Sequence, residues 1–99
     1  MRTRAATYPN SATARWCTQQ VVRRNEQRIH RWLAVGGRRR LTLEAAWPSR
    51  EQPVGMVLLQ AMELVGAGPV DVRAARVVLV RDAKATRGFA VLATFPINL

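Results

Sequence analysis

The spacing of the apolar residues changes once along the chain, and that change constrains the fold more than any other feature. Over residues 12–33 apolar side chains recur every three or four positions, which predicts one long amphipathic helix with Asn10 or Ser11 at its N-cap. Gly36-Gly37 is expected to end this helix, because glycine tolerates the left-handed conformation common just past a helix terminus. Residues 41–47 then alternate apolar and polar side chains, as in a half-buried strand. The fold class predicted from this order is α+β.

The second half of the chain is predicted to form strands joined by short connections. Residues 56–65 suit a strand or a short helix, and the turn that follows them favours the strand. Residues 72–81 predict a further strand, and residues 89–95 predict a last strand that Pro96 ends. Because connections this short favour antiparallel neighbours, we expect a three- or four-stranded, mostly antiparallel sheet after the helix. The segment before Tyr8 is expected to lie outside that sheet.

Length and composition favour a single small domain and exclude several kinds of site. With 99 residues, of which 48% are hydrophobic, the chain is predicted to form one domain over residues 1–99. Its one cysteine, Cys17, excludes an internal disulfide, and the single histidine excludes a Cys/His zinc site. No apolar run approaches the roughly 18–20 residues that span a bilayer, and no glycine-rich phosphate-binding motif occurs. We therefore predict no metal, no cofactor and no membrane span.

The positive charge is concentrated in the amino-terminal part of the chain. The formal net charge is +10, and residues 1–40 hold ten arginines against Glu26 alone. Such a field attracts polyanions, and guanidinium groups match phosphate oxygens bidentately and stack on bases, so RNA is the predicted partner. An acidic protein partner and a merely solvated basic face are the alternatives. The candidate RNA-binding residues are Arg15, Arg23, Arg24, Arg28, Arg31, Arg38, Arg39 and Arg40.

A few single residues are candidates for chemistry, each with a simpler interpretation beside it. Trp16, Trp32 and Trp47 are compatible with base stacking, but the positions of Trp32 and Trp47 favour core packing. Cys17 lies on the apolar stripe of the predicted helix, where a thiol behaves as a small hydrophobic group. His30 lies among arginines on the same helix and is a candidate general base for RNA cleavage. A surface histidine without function is the simpler interpretation.

Several short motifs occur in an order that resembles a known family. They are the segment 5–10 before the helix, Asn25 followed by Ile29 and Trp32-Leu33, the strand residues 77–79, and the last strand over residues 89–96. Over residues 5–96 this order is similar to the bacterial RNase A-like domain at the carboxyl end of contact-dependent growth inhibition toxins (CdiA) and related polymorphic toxins. The resemblance implies metal-independent cleavage of RNA in the cytoplasm of a competing cell, by a domain secreted or delivered as the C-terminal part of a larger toxin. It also implies a cognate, acidic immunity protein as a partner.

The resemblance further implies a catalytic site, which this chain matches only in part. The family supplies a histidine and an arginine from an amino-terminal helix, and a threonine and a tyrosine from a Thr-x-Tyr-Pro segment of the last strand. Aligned on Pro96, the positions of these two hydroxyl residues are Ala93 and Phe95. Thr94 replaces the missing threonine only if the strand shifts by one residue, which would turn its side chain to the opposite face. The remaining catalytic candidates are Thr94 and His30.

Two functions follow from these observations. The first is a ribonuclease toxin domain in truncated or degenerate form, whose activity would return if an upstream segment supplied the missing helix. The second is a non-enzymatic basic module that binds nucleic acid or an acidic protein on a similar scaffold. Whether the chain is an enzyme stays open at this point, because the family's histidine and both hydroxyl groups have no counterpart in the sequence.

Overall fold

The computed structural model describes residues 3–99, which form three helices and two three-stranded antiparallel sheets in an α+β arrangement. The elements in chain order are β1 (Thr3–Thr7), α1 (Ser11–Arg24), α2 (Glu26–Val35), β2 (Arg40–Ala46), β3 (Gly55–Leu59), α3 (Gln60–Leu64), β4 (Val70–Val72), β5 (Ala74–Arg81) and β6 (Phe89–Ile97). One sheet has the strand order β1-β3-β4 and the other has the order β2-β5-β6. None of the helices among these residues is long and apolar enough to cross a membrane.

The predicted single long helix is wrong, because the helical segment divides at Asn25. The side-chain amide of Asn25 donates to the carbonyl of Val21 at 2.7 Å, the acceptor that its own backbone N–H would use in a continuous helix. The backbone N–H donates to Val22 instead, and Asn25 adopts φ −116° and ψ 21°, outside helical geometry. The start of α1 and the end of α2 agree with the prediction. Asn10 caps α1, and Gly36, with φ 77°, follows the last residue of α2.

The predicted single sheet is also wrong, because the opening segment, expected outside the sheet, forms the edge strand β1. This strand pairs antiparallel with β3, a partner far away in sequence, and so creates a second sheet. Residues 56–65, predicted as one strand, divide after Leu59 between β3 and the short helix α3. The two sheets meet at Gly55, where a Cβ atom would lie 2.7 Å from both the Thr7 carbonyl oxygen and Cγ of Pro96. Only glycine permits this close approach.

Strand β6 continues to Ile97, so the prediction that Pro96 ends the strand is wrong. Proline has no N–H to donate, but β6 is an edge strand of the β2-β5-β6 sheet, where one side of the backbone has no hydrogen-bonded neighbouring strand. Pro96 lies opposite Ala75 of β5 and is fully buried. The last residues of β6 also contact β1 and β3, and the strand therefore joins the two sheets.

The main core lies between the helices α1 and α2 and one face of the β2-β5-β6 sheet. Its fully buried side chains come from both layers and include Cys17, Val21, Ile29, Leu43, Val77 and Leu79. Burying an aliphatic side chain completely contributes about 1.5–3 kcal/mol, so the helix layer is strongly held against this sheet. A smaller core of Val57, Leu59 and Val72 belongs to the β1-β3-β4 sheet.

Candidate functional site

Strand β6 presents its side chains to two different faces of the β2-β5-β6 sheet. The inner face packs on α1 and α2, and it carries Val91 and Thr94, whose partners on β5 are fully buried under the helices. The outer face is on the other side and carries Ala93 and Phe95, whose partners on β5 are only partly buried. Thr94 therefore lies on the face opposite to the two positions that align with the hydroxyl residues of the resembled family.

On the inner face, Thr94 belongs to a continuous chain of hydroxyl hydrogen bonds. Its Oγ1 lies 2.8 Å from the Tyr8 hydroxyl and 2.8 Å from Oγ1 of Thr18, and Thr18 donates to the Ala14 carbonyl at 2.7 Å. Each hydroxyl has one proton and a carbonyl only accepts, so the donors point the same way along the chain, from Tyr8 through Thr94 to α1. Burial raises the pKa of Tyr8 above its usual value, which keeps the proton on this residue. In this arrangement Thr94 connects β6 to α1 and has no free proton for a substrate.

On the outer face, the surroundings of Ala93 and Phe95 are apolar or already paired. Arg76, opposite Phe95 on β5, donates from Nε to the Glu44 carboxylate at 2.6 Å, and its guanidinium lies 6.0 Å from the centre of the Phe95 ring. Val78 lies opposite Ala93. Because Glu44 neutralises Arg76, this pair has little charge left to stabilise a substrate anion.

A groove runs between the two helices and the inner side of β6. It consists of two adjoining hollows of about 420 Å³ and about 240 Å³, which share Glu26, Arg87 and Phe89 in their walls. The polar side chains that line it are Thr18, Gln19, Arg23, Glu26, His30 and Arg87. The apolar side chains are Val22, Ile29, Leu33, Phe89 and Val91. We call this space the helix–β6 groove.

The structure places His30 in the helix–β6 groove, one helical turn from Glu26 on the same side of α2. Arg23, from the last turn of α1, and Arg87, from the β5–β6 connection, line the same groove. Within residues 3–99, none of these four side chains makes a hydrogen bond or an ion pair with another residue. The guanidinium of Arg87 lies 5.0 Å from the centre of the Phe89 ring. The groove thus brings together a carboxylate, an imidazole and two guanidinium groups, all exposed to solvent.

Of these four groove residues, Glu26 and Arg87 were missed by sequence reasoning. Glu26 could have been found from its spacing of four residues from His30, which puts both side chains on one side of a helix. Arg87 carries no such signal, because only the pairing of β5 with β6 brings their connection next to the helices.

The other candidate RNA-binding arginines are exposed but divided among several places. Arg28, Arg31 and Arg38 line a hollow of about 330 Å³ beside Trp32, near the end of α2. Arg24 is held by the protein, because its Nη1 donates to a backbone carbonyl of β2 at 2.9 Å. The other exposed arginines of the set are Arg15 on α1 and Arg39 and Arg40 at the start of β2. The eight arginines are therefore distributed around the two helices, and only Arg23 joins His30 in the groove.

Two of the three tryptophans pack against each other beneath guanidinium groups. The ring centres of Trp16 and Trp47 are 5.1 Å apart, and Arg50 lies 4.4 Å from the centre of the Trp16 ring. The guanidinium of Arg50 is fixed there by donating to the Gln52 carbonyl at 2.9 Å. Trp47 and Trp32 are more than nine-tenths buried, which confirms that they are core residues. The exposed side of Trp16 is thus already covered by a side chain of the protein.

Cys17 is fully buried in the main core, as its position on the apolar stripe predicted. Burial raises the pKa of its thiol to about 11, so the thiol stays protonated at neutral pH and is a poor nucleophile. In the part of the chain that the structure describes, no three His, Cys, Asp or Glu side chains are grouped in a way that could hold a metal ion.

Comparisons with known proteins agree with this fold. The model of the family described as the bacterial CdiA-CT RNAse A domain matches residues 1–96. Among solved structures, a crystal structure of a CdiA-CT/CdiI complex from Y. kristensenii 33638 matches with a TM-score of 0.83 at 17% sequence identity, over 99% of this chain and 80% of that chain. A search of curated proteins finds no match. The resemblance drawn from the sequence is confirmed: the chain belongs to the bacterial CdiA-CT RNAse A domain family, a family of nuclease-like toxin domains.

Proposed function

We propose that this protein acts on RNA as a toxin domain, and that it holds RNA through arginines that pair with no other group among the described residues. Eight arginines make neither a side-chain hydrogen bond nor an ion pair within residues 3–99, and we call them the free arginines. They are Arg15, Arg23, Arg28, Arg31, Arg38, Arg39, Arg40 and Arg87. This set carries the proposal, because an unpaired guanidinium can take up a phosphate without first breaking a contact inside the protein.

The remaining arginines of the described chain make hydrogen bonds within the protein. RNA is therefore expected to bind where the free arginines lie. The hydrogen-bonded arginines, whose guanidinium groups donate to carbonyls or carboxylates, are Arg4, Arg24, Arg50, Arg73, Arg76 and Arg81. The free arginines, by contrast, lie on α1, on α2, around the start of β2 and in the β5–β6 connection. Arg24, predicted from the sequence to bind RNA, is therefore expected to contribute less than its neighbours.

An immunity protein is the proposed second partner. The structural relative from Y. kristensenii was crystallised as a CdiA-CT/CdiI complex, and an acidic partner suits a chain with a formal net charge of +10. We propose that this domain is delivered to a target cell as the C-terminal toxin part of a larger protein and acts in the cytoplasm there. A cognate acidic immunity protein would then protect the producing cell.

The chemistry of the resembled family is not available at the aligned positions of β6. Ala93 and Phe95 lack the hydroxyl groups, and Thr94 directs its own hydroxyl into the chain shared with Tyr8 and Thr18. Without these hydroxyl groups, the second candidate function is a basic module that binds RNA or an acidic protein without cleaving RNA. An assay of RNA cleavage distinguishes the ribonuclease toxin from the binding module.

Salt dependence of RNA binding tests the proposal. We expect the protein to bind a fluorescent single-stranded oligoribonucleotide with an affinity that falls steeply as salt rises. Replacing Arg38, Arg39 and Arg40 together by alanine should lower the slope of log affinity against log salt by about 2, because each phosphate contact on a single strand contributes about 0.7. Lys84→Ala, which removes a charge outside the free arginines, is the control. Binding that does not respond to salt, or no RNA binding at all, would refute the proposal.

Incubation with labelled tRNA and total RNA in the presence of a chelator decides between the toxin nuclease and the binding module. A metal-independent ribonuclease should generate discrete fragments under these conditions. Intact RNA together with salt-sensitive binding would support the non-enzymatic module. An acidic immunity protein should suppress either activity by covering the free arginines.

A further inference from the structure

We propose that the helix–β6 groove is an RNA-cleaving site in which Glu26 is the general base, His30 is the general acid, and Arg23 and Arg87 hold the phosphate. The inference rests on the proposed function, because it takes RNA as the ligand of the free arginines. The site differs from the one that the resemblance implies, since it lies on the helix side of β6 and uses neither Ala93 nor Phe95.

The fold brings the four groups together from three elements. Glu26 and His30 are four residues apart on α2, so their side chains project from the same side of the helix on consecutive turns. Both line the smaller hollow together with Arg87. Arg23 and Arg87 both line the larger hollow, one from α1 and the other from the β5–β6 connection. A phosphodiester in the groove would therefore meet guanidinium groups from two parts of the fold, together with a carboxylate and an imidazole.

None of the four groups is held by a hydrogen bond or an ion pair within residues 3–99. Glu44 and Glu63 form ion pairs with Arg76 and Arg4, whereas the carboxylate of Glu26 has no such partner within residues 3–99. The groups keep their hydrogen-bonding capacity for a ligand, as a catalytic site requires.

The proposed reaction balances with these groups alone. The 2′-hydroxyl of the substrate gives its proton to the carboxylate of Glu26, and its oxygen forms a bond to phosphorus. The bond between phosphorus and the 5′-oxygen breaks, and that oxygen takes a proton from the imidazolium of His30. The products are a 2′,3′-cyclic phosphate and a free 5′-hydroxyl. Arg23 and Arg87 stabilise the negative charge that increases on the phosphoryl oxygens in the transition state.

The apolar wall of the groove offers a place for a base next to the scissile phosphate. The Phe89 ring is half-buried and lines both hollows, with the guanidinium of Arg87 5.0 Å from its centre. Aromatic and guanidinium planes both stack on bases. A nucleotide could therefore place its base against Phe89 and its phosphate between the arginines.

Cleavage of an oligoribonucleotide by the full chain and its variants tests the site. We expect fragments ending in a 2′,3′-cyclic phosphate, identified by mass spectrometry in the presence of a chelator. His30→Ala and Glu26→Gln should each lower the cleavage rate by about 100-fold or more, within the usual contribution of a general acid or base. Arg87→Ala should lower it by a similar factor through loss of charge stabilisation. The same sequence with 2′-O-methyl groups should bind but stay intact, because it lacks the nucleophile.

Control variants separate this inference from the proposed function. Gln27→Ala on α2 and Lys84→Ala in the β5–β6 connection alter exposed side chains outside the groove and should leave the rate unchanged. Circular dichroism verifies that each variant is folded. Salt-sensitive RNA binding without cleavage, or cleavage at an unchanged rate in His30→Ala and Glu26→Gln, would overturn the inference while leaving RNA binding intact. Failure to bind RNA would overturn both.

Discussion

The two faces of β6 differ in whether the polar groups beside them are paired with each other or free to bind a ligand. Toward the outer face, Arg76 is paired with Glu44, and the two aligned positions are Ala93 and Phe95. Toward the inner face, the helix–β6 groove contains an imidazole, a carboxylate and two guanidinium groups that make no hydrogen bond or ion pair within residues 3–99. Family membership therefore does not predict which face of a strand has polar groups available to a ligand.

The inner face also has a part that is fully committed to stability. Thr94 is bonded to Tyr8 and Thr18, and Cys17 lies in the core beside them. The groove adjoins this region, since Thr18 belongs to both. Stability and RNA chemistry are therefore expected to respond to different substitutions on the same side of β6.

The largest effect should appear in the pH dependence of stability, through the buried thiol of Cys17. Burial raises the pKa of Cys17 from 9.0 to about 11 in the folded chain, so the folded state keeps this proton longer than the unfolded state. The contribution is complete below pH 9 and is lost as the pH rises to about 11. The free energy of unfolding, measured with urea, should fall by about 2 kcal/mol over this interval. Tyr8, whose pKa is also raised by burial, acts in the same direction.

Cys17→Ala isolates the contribution of the thiol. The variant is expected to be less stable at pH 8, because it leaves a small cavity, but to lose less stability between pH 9 and pH 11. An equal loss in both proteins would show that the region around Cys17 admits water.

Thr94→Val should destabilise the protein by about 1–2 kcal/mol. The substitution keeps the shape of the side chain but leaves the half-buried Tyr8 hydroxyl without its acceptor. Thr42→Val is the matched control on the outer face, where the threonine is exposed, and should change the free energy of unfolding by no more than about 0.5 kcal/mol. Equal effects of the two substitutions in chemical denaturation would remove the distinction between the faces.

Loss of both groove arginines should weaken RNA binding by about 10-fold at low salt, which corresponds to about 1.4 kcal/mol. Arg23→Ala with Arg87→Ala removes two free guanidinium groups, whereas Arg76→Ala removes one that is paired with Glu44. We expect the latter to change affinity by less than about twofold, measured by fluorescence anisotropy. A larger effect of Arg76→Ala would assign RNA binding to the outer face.

Restoring the two hydroxyl groups of the resembled family should have the smallest effect. Ala93→Thr with Phe95→Tyr alters half-buried positions of the outer face and is expected to change stability by about 0.5 kcal/mol. It should add no cleavage activity, because the only histidine of the chain lies in the groove on the inner face. A gain of chelator-resistant cleavage would place the chemistry on the outer face.

Local signals in the sequence predicted local structure. The Asn10 cap, the end of α2 before Gly36 and the alternating strand β2 each depend on neighbouring residues alone, and the structure has all three. The break at Asn25 was missed, because it depends on a side-chain amide competing with the backbone for one carbonyl. The second sheet was missed for a different reason, since β1 and β3 are far apart in sequence and carry no mutual signal.

The candidate site likewise has residues that local sequence predicts and residues that only tertiary contacts place. His30 and Arg23 were predicted from residue type and helical position. Glu26 could have been predicted in the same way, from its spacing of four residues from His30. Arg87 could not be predicted, because its place in the groove depends on how β5 and β6 pair. The difference between Arg23 and Arg24, one free and one held by β2, also depends on tertiary contacts.

Backbone amide NMR spectra recorded during titration with a 2′-O-methyl oligoribonucleotide test the central claim most directly, because this ligand binds without being cleaved. The account predicts that the largest shifts occur around the groove, at residues such as Gln19, Arg23, His30 and Phe89. Shifts concentrated on the outer face, at Arg76, Val78, Ala93 and Phe95, would contradict it.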